Sequence, residues 1–382
     1  MQKPIPILFT IPNFITSGSG QVMMNIVSRL DRTLFAPAVC VFKKGGRLDR
    51  VVEEMGIPFI EAPFTIPPKP YLSLYQRSKR ASEVFRPYKF ELWHSWHYID
   101  DYTEPIIAKL SGAKAWVFTK KNMSWGSNGW LVRSLLADRI GVDNTDMNAE
   151  FFNRFNLAKK TRYIPHGIPT DQFSPVIEPK LALREKLGIP SDAVVVGCVA
   201  NLTERKGHHI LLEAVSKVPN VYLLTIGKTL EEDYALRLEE MRQSLQIEDR
   251  TFLLGHVDDV PAFLAEVDIF VLPTWNRGSR EGCPVALVEA MSSGKACIAT
   301  DISGSKDIIE NEVSGLIVPA EDVEALAIAL QTLAQNSEMR KTFSLAARKR
   351  ILDHFSIEQE VTRYQNLYLE CLQGSGSVDY KS

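Results

Sequence analysis

Short apolar runs alternate with longer amphipathic segments along the whole chain. In the first part, runs at Ile5–Ile11, Ala38–Phe42, Glu91–His94, Ala115–Thr119 and Arg139–Asp143, with a weaker one at Arg162–Pro165, read as strands. These runs are nearly continuously apolar rather than alternating, the pattern of strands covered on both faces. Between them, Gln21–Leu30, Leu72–Phe85, Thr103–Leu110 and Met147–Phe155 have helical spacing. The alternation then restarts. Strands are predicted at Val194–Ala200, Val221–Ile226, Thr251–Leu254, Ile269–Leu272, Ala296–Thr300 and Gly315–Val318. Helices are predicted at Gly207–Val218, Glu231–Leu245, Val260–Ala265, Pro284–Ser292 and Glu324–Ala334, then at Ser337–Phe355 and Ile357–Leu372 with no strand after them. Two successive doubly wound α/β units fit this order better than one large sheet.

The break between them is chemical. Pro165-His-Gly-Ile-Pro169 opens a stretch reaching Pro175 and Pro179 that is rich in proline and poor in periodicity, which marks a linker. The predicted domains are therefore 1–166 and 167–355, followed by a helix at about 356–373. The Gly/Ser tail 374–382 is predicted to be disordered.

Composition adds bounds. A chain of 382 residues suggests two domains at roughly 100–200 residues each. With 45% apolar and 24% charged residues it is a globular protein, and a net charge of -2 gives no reason to expect nucleic acid. The five cysteines are scattered, without a CxxC pair or zinc-ligand spacing, which fits a reducing, cytoplasmic setting. No apolar stretch approaches the roughly 18–20 residues that span a bilayer. Pro4, Pro6, Pro12 and Asn13 interrupt any signal-peptide pattern. A membrane role would be peripheral. The basic, aromatic segment Tyr71–Lys89 is the candidate contact with an anionic membrane, an ordinary solvated helix being the other reading.

In an open parallel sheet, ligands sit beyond the carboxyl ends of the strands. Three loops there carry candidate chemistry. Thr16-Ser-Gly-Ser-Gly20 precedes a helix whose amides suit an anion. Asn201-Leu-Thr-Glu-Arg-Lys-Gly207 brings Arg205 and Lys206 to a helix start, where cations are unfavourable unless an anion joins them. A bound pyrophosphate or simple solvation would each account for the pair. Arg280-Glu-Gly-Cys-Pro-Val-Ala-Leu-Val-Glu289 places Pro284 at a first helical position, with the amides of Gly282 and Cys283 beside it. Glu281 stands at the loop and Glu289 inside the helix, where it can accept both hydroxyls of a ribose. A helix-start charge and a salt-bridged face are the plainer alternatives. Among the histidines, His94 and His97 in Trp93-His-Ser-Trp-His97 and His166 in the linker are candidates for sugar hydroxyls, or ordinary structural groups. Trp93, Trp96, Trp125 and Trp130 offer either stacking faces or core packing.

The stretch Glu281–Asp301 resembles the E-x7-E signature region of retaining GT-B glycosyltransferases, in particular glycosyltransferase family 4, the "glycosyl transferases group 1". Further segments fall in that family's order: the loop at 17–20, Ile164-Pro-His-Gly-Ile168, Val199–Gly207, Leu254-Gly-His-Val-Asp-Asp259 and Asn311–Pro319. The resemblance is dense from Val194 to Pro319 and thin between about Arg47 and Ala137. It implies two Rossmann-like domains facing a cleft, with the final helix crossing back to the first domain. It further implies a nucleoside-diphosphate sugar held mainly by the second domain, the acceptor by the first, and no cofactor.

By position, Lys206 matches the lysine on the donor diphosphate, with Arg205 as a second charge. Glu281 matches the first glutamate near the donor sugar, and Glu289 the second, on the ribose. The segment Gly282, Cys283, Pro284 and Val285 matches the part holding sugar and phosphate. Gly18, Ser19 and Gly20 match the first-domain loop over the diphosphate. His256 and Val257 fall where the base is met. The implied reaction retains configuration by front-face attack, and the absence of an Asp-x-Asp motif favours one without metal. Two departures stand out. Asn201 occupies the place of a frequent arginine, and Thr119-Lys-Lys-Asn-Met-Ser124 lacks a frequent histidine, leaving Lys121 or Asn122 to bond there. A sugar-nucleotide epimerase, a glycoside phosphorylase or a non-catalytic nucleotide-sugar binder on the same fold are the rival readings.

Overall fold

A computed structural model of the chain describes residues 3–15, 17–178, 180–275 and 281–373, apart from the side chains of Ser17 and Arg154. The tail 374–382, Thr16 and Arg280 lie outside the described residues. The chain divides into two compact units: residues up to His166 together with those from Ile357 onward, and Gly167–Ser356.

The first unit holds a seven-stranded parallel sheet of β1 (Ile5–Thr10), β2 (Phe35–Val41), β3 (Phe59–Glu61), β4 (Leu92–Ser95), β5 (Ala115–Lys120), β6 (Arg139–Val142) and β7 (Thr161–Tyr163), in the order β3-β2-β1-β4-β5-β6-β7. The second holds β8 (Val194–Val199), β9 (Val221–Ile226), β10 (Thr251–Leu253), β11 (Ile269–Leu272), β12 (Ala296–Thr300) and β13 (Leu316–Val318), in the order β10-β9-β8-β11-β12-β13. Successive side chains of a strand enter opposite clusters. Ile7 and Phe9 pack on one face of the first sheet and Leu8 on the other. Val196 and Cys198 likewise oppose Val195 in the second. Burial on both faces explains the continuous apolar runs.

Every strand predicted from the pattern is present, with ends shifted by up to three residues. The edge strand β3 is too short to show a period. Helices Asp49–Glu54, Asn128–Leu136, Leu183–Lys186 and Ser305–Ile308 are likewise additions. In Asn128–Leu136, Gly129 breaks the helical pattern, yet the Ser127 hydroxyl caps it by accepting from the Gly129 amide at 3.0 Å. Met147–Phe155 forms a single wide turn, Asn148–Phe152, followed by a tighter one, Asn153–Phe155. The helix Ile357–Gln373 belongs to the first unit, where Tyr364 and Tyr368 lie in the same cluster as Phe9 and Phe35. No helix among the described residues is long and apolar enough to cross a membrane.

Candidate functional site

Each sheet has one point where the strand order departs to both sides of its first strand, and the crevice there is where an open α/β sheet binds ligands. In the second unit β8 lies between β9 and β11, so the loops after β8 and β11 line that crevice. They are stapled together. Trp275 donates its amide to the Arg205 carbonyl (3.0 Å) and its indole Nε1 to the Glu204 carbonyl (2.6 Å). Gly207 has φ of 72°, and a Cβ there would lie 2.0 Å from the Pro273 carbonyl oxygen, so only glycine lets the two loops meet.

This staple fixes a tight turn at Glu204–Lys206, just before the helix His208–Ser216. Lys206 Nζ donates to Glu281 Oε1, and Arg205 NH1 approaches the same oxygen at 3.1 Å. Burial alone would raise the Glu281 pKa; the two cations outweigh it and hold the carboxyl below its ordinary value. Gly282, Cys283 and Pro284 are buried. A Cβ on Gly304 would lie 2.1 Å from the Gly282 carbonyl, so this loop too is seated by a close backbone approach. Pro284 is the cap, not the first helical residue: the helix is Val285–Ser292, and the Pro284 carbonyl accepts from the Leu287 amide at 3.0 Å.

Glu289, partly buried inside that helix, has no ion pair or side-chain hydrogen bond among the described residues, and burial pushes its pKa up to about 8. Such a carboxylate favours any ligand bringing hydroxyl donors. Asn201, expected to contact the donor, lies exposed on the loop after β8. Its Oδ1 accepts from the Lys228 amide (3.1 Å), tying the β8 loop to the β9 loop. His256 lies exposed after β10 beside Asp258 (3.2 Å), and Val257 packs partly buried against the second-unit core.

In the first unit, β1 lies between β2 and β4. A pocket of about 460 Å³ opens there, lined by Ile11, Asn13, Ser19, Trp96, His97 and Tyr98 among others. Gly18, Ser19 and Gly20 form the first turn of the helix Ser17–Arg29, which corrects their reading as a loop: the helix starts four residues before the predicted Gln21. Ser19 Oγ accepts from Lys121 Nζ at 2.6 Å. The same nitrogen donates to the Trp96 carbonyl (2.8 Å) and lies 4.5 Å from the Trp96 ring centroid, and burial lowers the Lys121 pKa well below the ordinary lysine value.

The two histidines of Trp93–His97 are structural, a correction to their reading as sugar contacts. His94 is buried with both ring nitrogens engaged, Nδ1 with Tyr368 OH (2.7 Å) and Nε2 with Thr119 Oγ1 (2.9 Å). Burial, with the Lys121 charge, lowers its pKa to about 3. His97 Nδ1 accepts from the Ile99 amide (3.1 Å), so Nε2–H donates to Glu104 Oε2 (2.8 Å). Glu104 also accepts from Thr10 Oγ1, Trp93 Nε1 (2.9 Å) and Arg133 NH2 (3.3 Å). Trp93, Trp96 and Trp130 are buried and Trp125 stacks on Phe151, so none of the four is an open sugar platform. The Asn122 carbonyl accepts from Lys120 Nζ (2.6 Å). His166 is buried, its Nδ1 3.2 Å from Glu360 and its Nε2 3.7 Å from Asp143; these carboxylates outweigh burial and raise its pKa. Glu104, Arg133 and Asp143 were missed because no local spacing links residues so far apart in sequence. Asp143, at the end of a strand and pushed by burial to about 7, had that position as its one signal.

Residues 179–350 match the family model for glycosyl transferases group 1. The second unit thus carries a glycosyl transferases group 1 domain. Over 184 residues the chain is 30% identical to a lipopolysaccharide core biosynthesis glycosyltransferase of Rhizobium meliloti, covering 48% of this chain and 52% of that protein. It is 28% identical over 220 residues to an Escherichia coli UDP-Gal:alpha-D-GlcNAc-diphosphoundecaprenol alpha-1,3-galactosyltransferase (55% and 54% covered). It is 26% identical over 265 residues to a GDP-mannose-dependent phosphatidylinositol monomannoside mannosyltransferase of Mycolicibacterium smegmatis (65% and 68% covered). The matched stretch spans about half the length of the first two relatives. Among solved structures, a Rickettsia africae glycosyltransferase superposes with a TM-score of 0.85 at 20% identity, covering 98% of this chain and 100% of that one. The Anabaena HepE protein in complex with UDP and glucose gives 0.78 at 20%, covering 96% and 99%. The fold is that of the GT-B glycosyltransferases, two Rossmann-like domains.

Proposed function

We propose that this chain is a retaining glycosyltransferase that moves a sugar from a nucleoside-diphosphate sugar to a hydroxyl of a lipid-linked saccharide. The observation that carries the reading is the convergence of Lys206 and Arg205 on Glu281 at the crevice of the second sheet, with Glu289, which has no partner among the described residues, in the helix that follows. As the glycosidic bond to phosphate breaks, negative charge grows on the departing diphosphate. Two cations already fixed beside it stabilise that charge without reorganisation. Glu281 then faces the donor sugar, Glu289 accepts the ribose hydroxyls, and the amides from Gly282 to Val285 face the sugar and phosphate. His256 and Val257 meet the base. The departing phosphate oxygen takes the acceptor proton, so no protein nucleophile and no metal are needed. The pocket between Ser19 and Trp96 receives the acceptor, its Ser19 hydroxyl and Trp96 carbonyl bonded to Lys121. Two relatives whose names specify sugars on diphosphoundecaprenol and on phosphatidylinositol support a lipid-linked acceptor.

The test combines thermal shift and turnover. A nucleoside diphosphate should raise the apparent melting temperature, since it binds the native state alone. Lys206→Ala should lower kcat by about 10²–10³-fold, with unchanged circular dichroism. Sugar phosphate release driven by inorganic phosphate would indicate a phosphorylase instead, and an epimerised donor without acceptor an epimerase. Tight donor binding without turnover would indicate a non-catalytic binder. No nucleotide binding and no turnover with any common nucleotide sugar would sink the proposal.

A further inference from the structure

The pocket at the carboxyl end of the first sheet combines apolar walls with a small number of polar groups, the make-up of a ligand site. Pro12, Ile15, Tyr98 and Ile99 are its apolar side, and Ile15 is 75% exposed. Among the described residues no carboxylate, lysine or arginine lines it. His97 does, but both its ring nitrogens are engaged within the protein. The remaining polar side chains are Asn13 and Ser19. Asn13 Oδ1 accepts from the Ile15 amide (3.0 Å), and its Nδ2 donates to nothing among the described residues. Ser19 Oγ accepts from Lys121 Nζ (2.6 Å), and its own proton has no acceptor among them. The pocket therefore offers donors, and what it can take is an uncharged ligand with acceptor oxygens.

Tyr98 adds an aromatic face. It lies three residues past the end of β4 and is 49% exposed. Lys121, which is buried, holds Nζ over the Tyr98 ring at 4.6 Å and over the Trp96 ring at 4.5 Å, and donates to the Trp96 carbonyl (2.8 Å). The ring is thus fastened from the interior while half of its surface stays in the pocket opening. An exposed aromatic ring is ordinary by itself. One that is fixed in a concavity loses little further freedom when a ligand covers it. A saccharide has the matching chemistry, a face of C–H groups and an edge of hydroxyls. The C–H groups carry slight positive charge and meet the negative face of an aromatic ring. The hydroxyl oxygens accept from amide and hydroxyl donors.

We propose that Tyr98 is the platform on which the terminal sugar of the acceptor stacks, with Asn13 Nδ2 and Ser19 Oγ donating to its hydroxyls. This rests on the reading of the pocket as the acceptor site, and it names the residue that selects a saccharide there. The role that the four buried or stacked tryptophans do not fill goes to a tyrosine beside them. Tyr98 binds and takes no part in bond making, so its loss falls on acceptor binding and leaves the donor site untouched.

The experiment is saturation-transfer NMR on the full chain with the methyl α-glycosides of glucose, galactose, mannose and N-acetylglucosamine. Saturation is expected on the C–H protons of one ring face of at least one of them. Y98A and Y98L should each weaken that binding by about tenfold, with unchanged circular dichroism, while Y98F keeps the ring and the binding. The proposal is overturned by no saccharide binding in the wild type, or by wild-type binding in Y98A and Y98L. An equal loss in Y98F would overturn it too and assign the contact to the phenolic hydroxyl. The melting-temperature shift with UDP and GDP is read on the same preparations and should persist in every variant. Its absence from the wild type counts against the donor reading alone.

Discussion

The crevices of the two sheets dispose their charged groups in opposite ways. In the first unit, Glu104 is buried and surrounded by Thr10, Trp93, His97 and Arg133, while His94 uses both ring nitrogens on neighbouring hydroxyls. Every hydrogen bond Glu104 needs is made inside the protein. In the second unit, Lys206 and Arg205 crowd onto one oxygen of Glu281, and Glu289 has no partner among the described residues. The Glu104 carboxylate is satisfied within the protein, although Arg133 Nε beside it has no hydrogen-bond partner among the described residues; Glu289 is left for a ligand. Perturbed titration accompanies both, because structural ion-pair networks shift a pKa just as functional sites do.

The largest expected effect lies in the first unit. Glu104→Ala leaves Arg133 buried without its carboxylate, a loss of about 3–5 kcal/mol. The pH dependence has a definite sign. Burial opposes ionisation of Glu104, but His97 and Arg133 outweigh it and hold the pKa at about 2, below the ordinary 4.5. Its stabilisation is therefore complete above about 4.5 and is lost as pH falls through 2. Denaturant unfolding at pH 7 and pH 3 should show the variant weaker and less acid-sensitive than the wild type. A loss below about 1 kcal/mol at pH 7 would remove the distinction between the two crevices.

Why one site was legible in the sequence and the other was not follows from how each is built. Lys206, Glu281 and Glu289 lie on two short loop-to-helix segments, and local spacing carries them. Glu104 and Arg133 meet across 29 residues, and His94 reaches Tyr368 across 274. Only tertiary packing brings them together. The strands were readable for the same reason in reverse, because burial on both faces writes itself as an unbroken apolar run. The histidines misled because a strand end looks alike from sequence whether its side chain faces a ligand or a neighbouring hydroxyl.

Glu289→Gln sharpens the contrast from the other side. Burial pushes the Glu289 pKa up to about 8, so the folded protein keeps the proton while the unfolded chain releases it near 4.5. This residue thus costs stability as pH rises from 4.5 to 8. A ligand donating hydroxyls favours the ionised carboxylate, so binding of a nucleoside diphosphate should release a proton near neutral pH and tighten from pH 6 to 8. In Glu289→Gln the pH dependence should flatten, with affinity at pH 8 lower by roughly ten- to hundredfold. Calorimetry in buffers of different ionisation enthalpy reads the proton directly. A wild type that binds without proton release would count against the assignment of Glu289 to the ribose.

The smallest effect is the most discriminating, because it concerns a second-unit residue built like a first-unit one. Asn201 Oδ1 is satisfied by the Lys228 amide, and the Leu202 amide donates to the Lys228 carbonyl at 2.9 Å, so the loops after β8 and β9 are joined on both sides of Lys228. Asn201→Ala removes one of these bonds at an exposed position and should cost about 0.5–1.5 kcal/mol. Were Asn201 a donor ligand, KM for the nucleotide sugar would rise at least tenfold with stability nearly unchanged. As a loop staple it should show the reverse, a lower melting temperature with KM within about twofold of wild type. Measuring both on one preparation separates the roles, since a bond already made within the protein stabilises the fold whether or not the ligand is there.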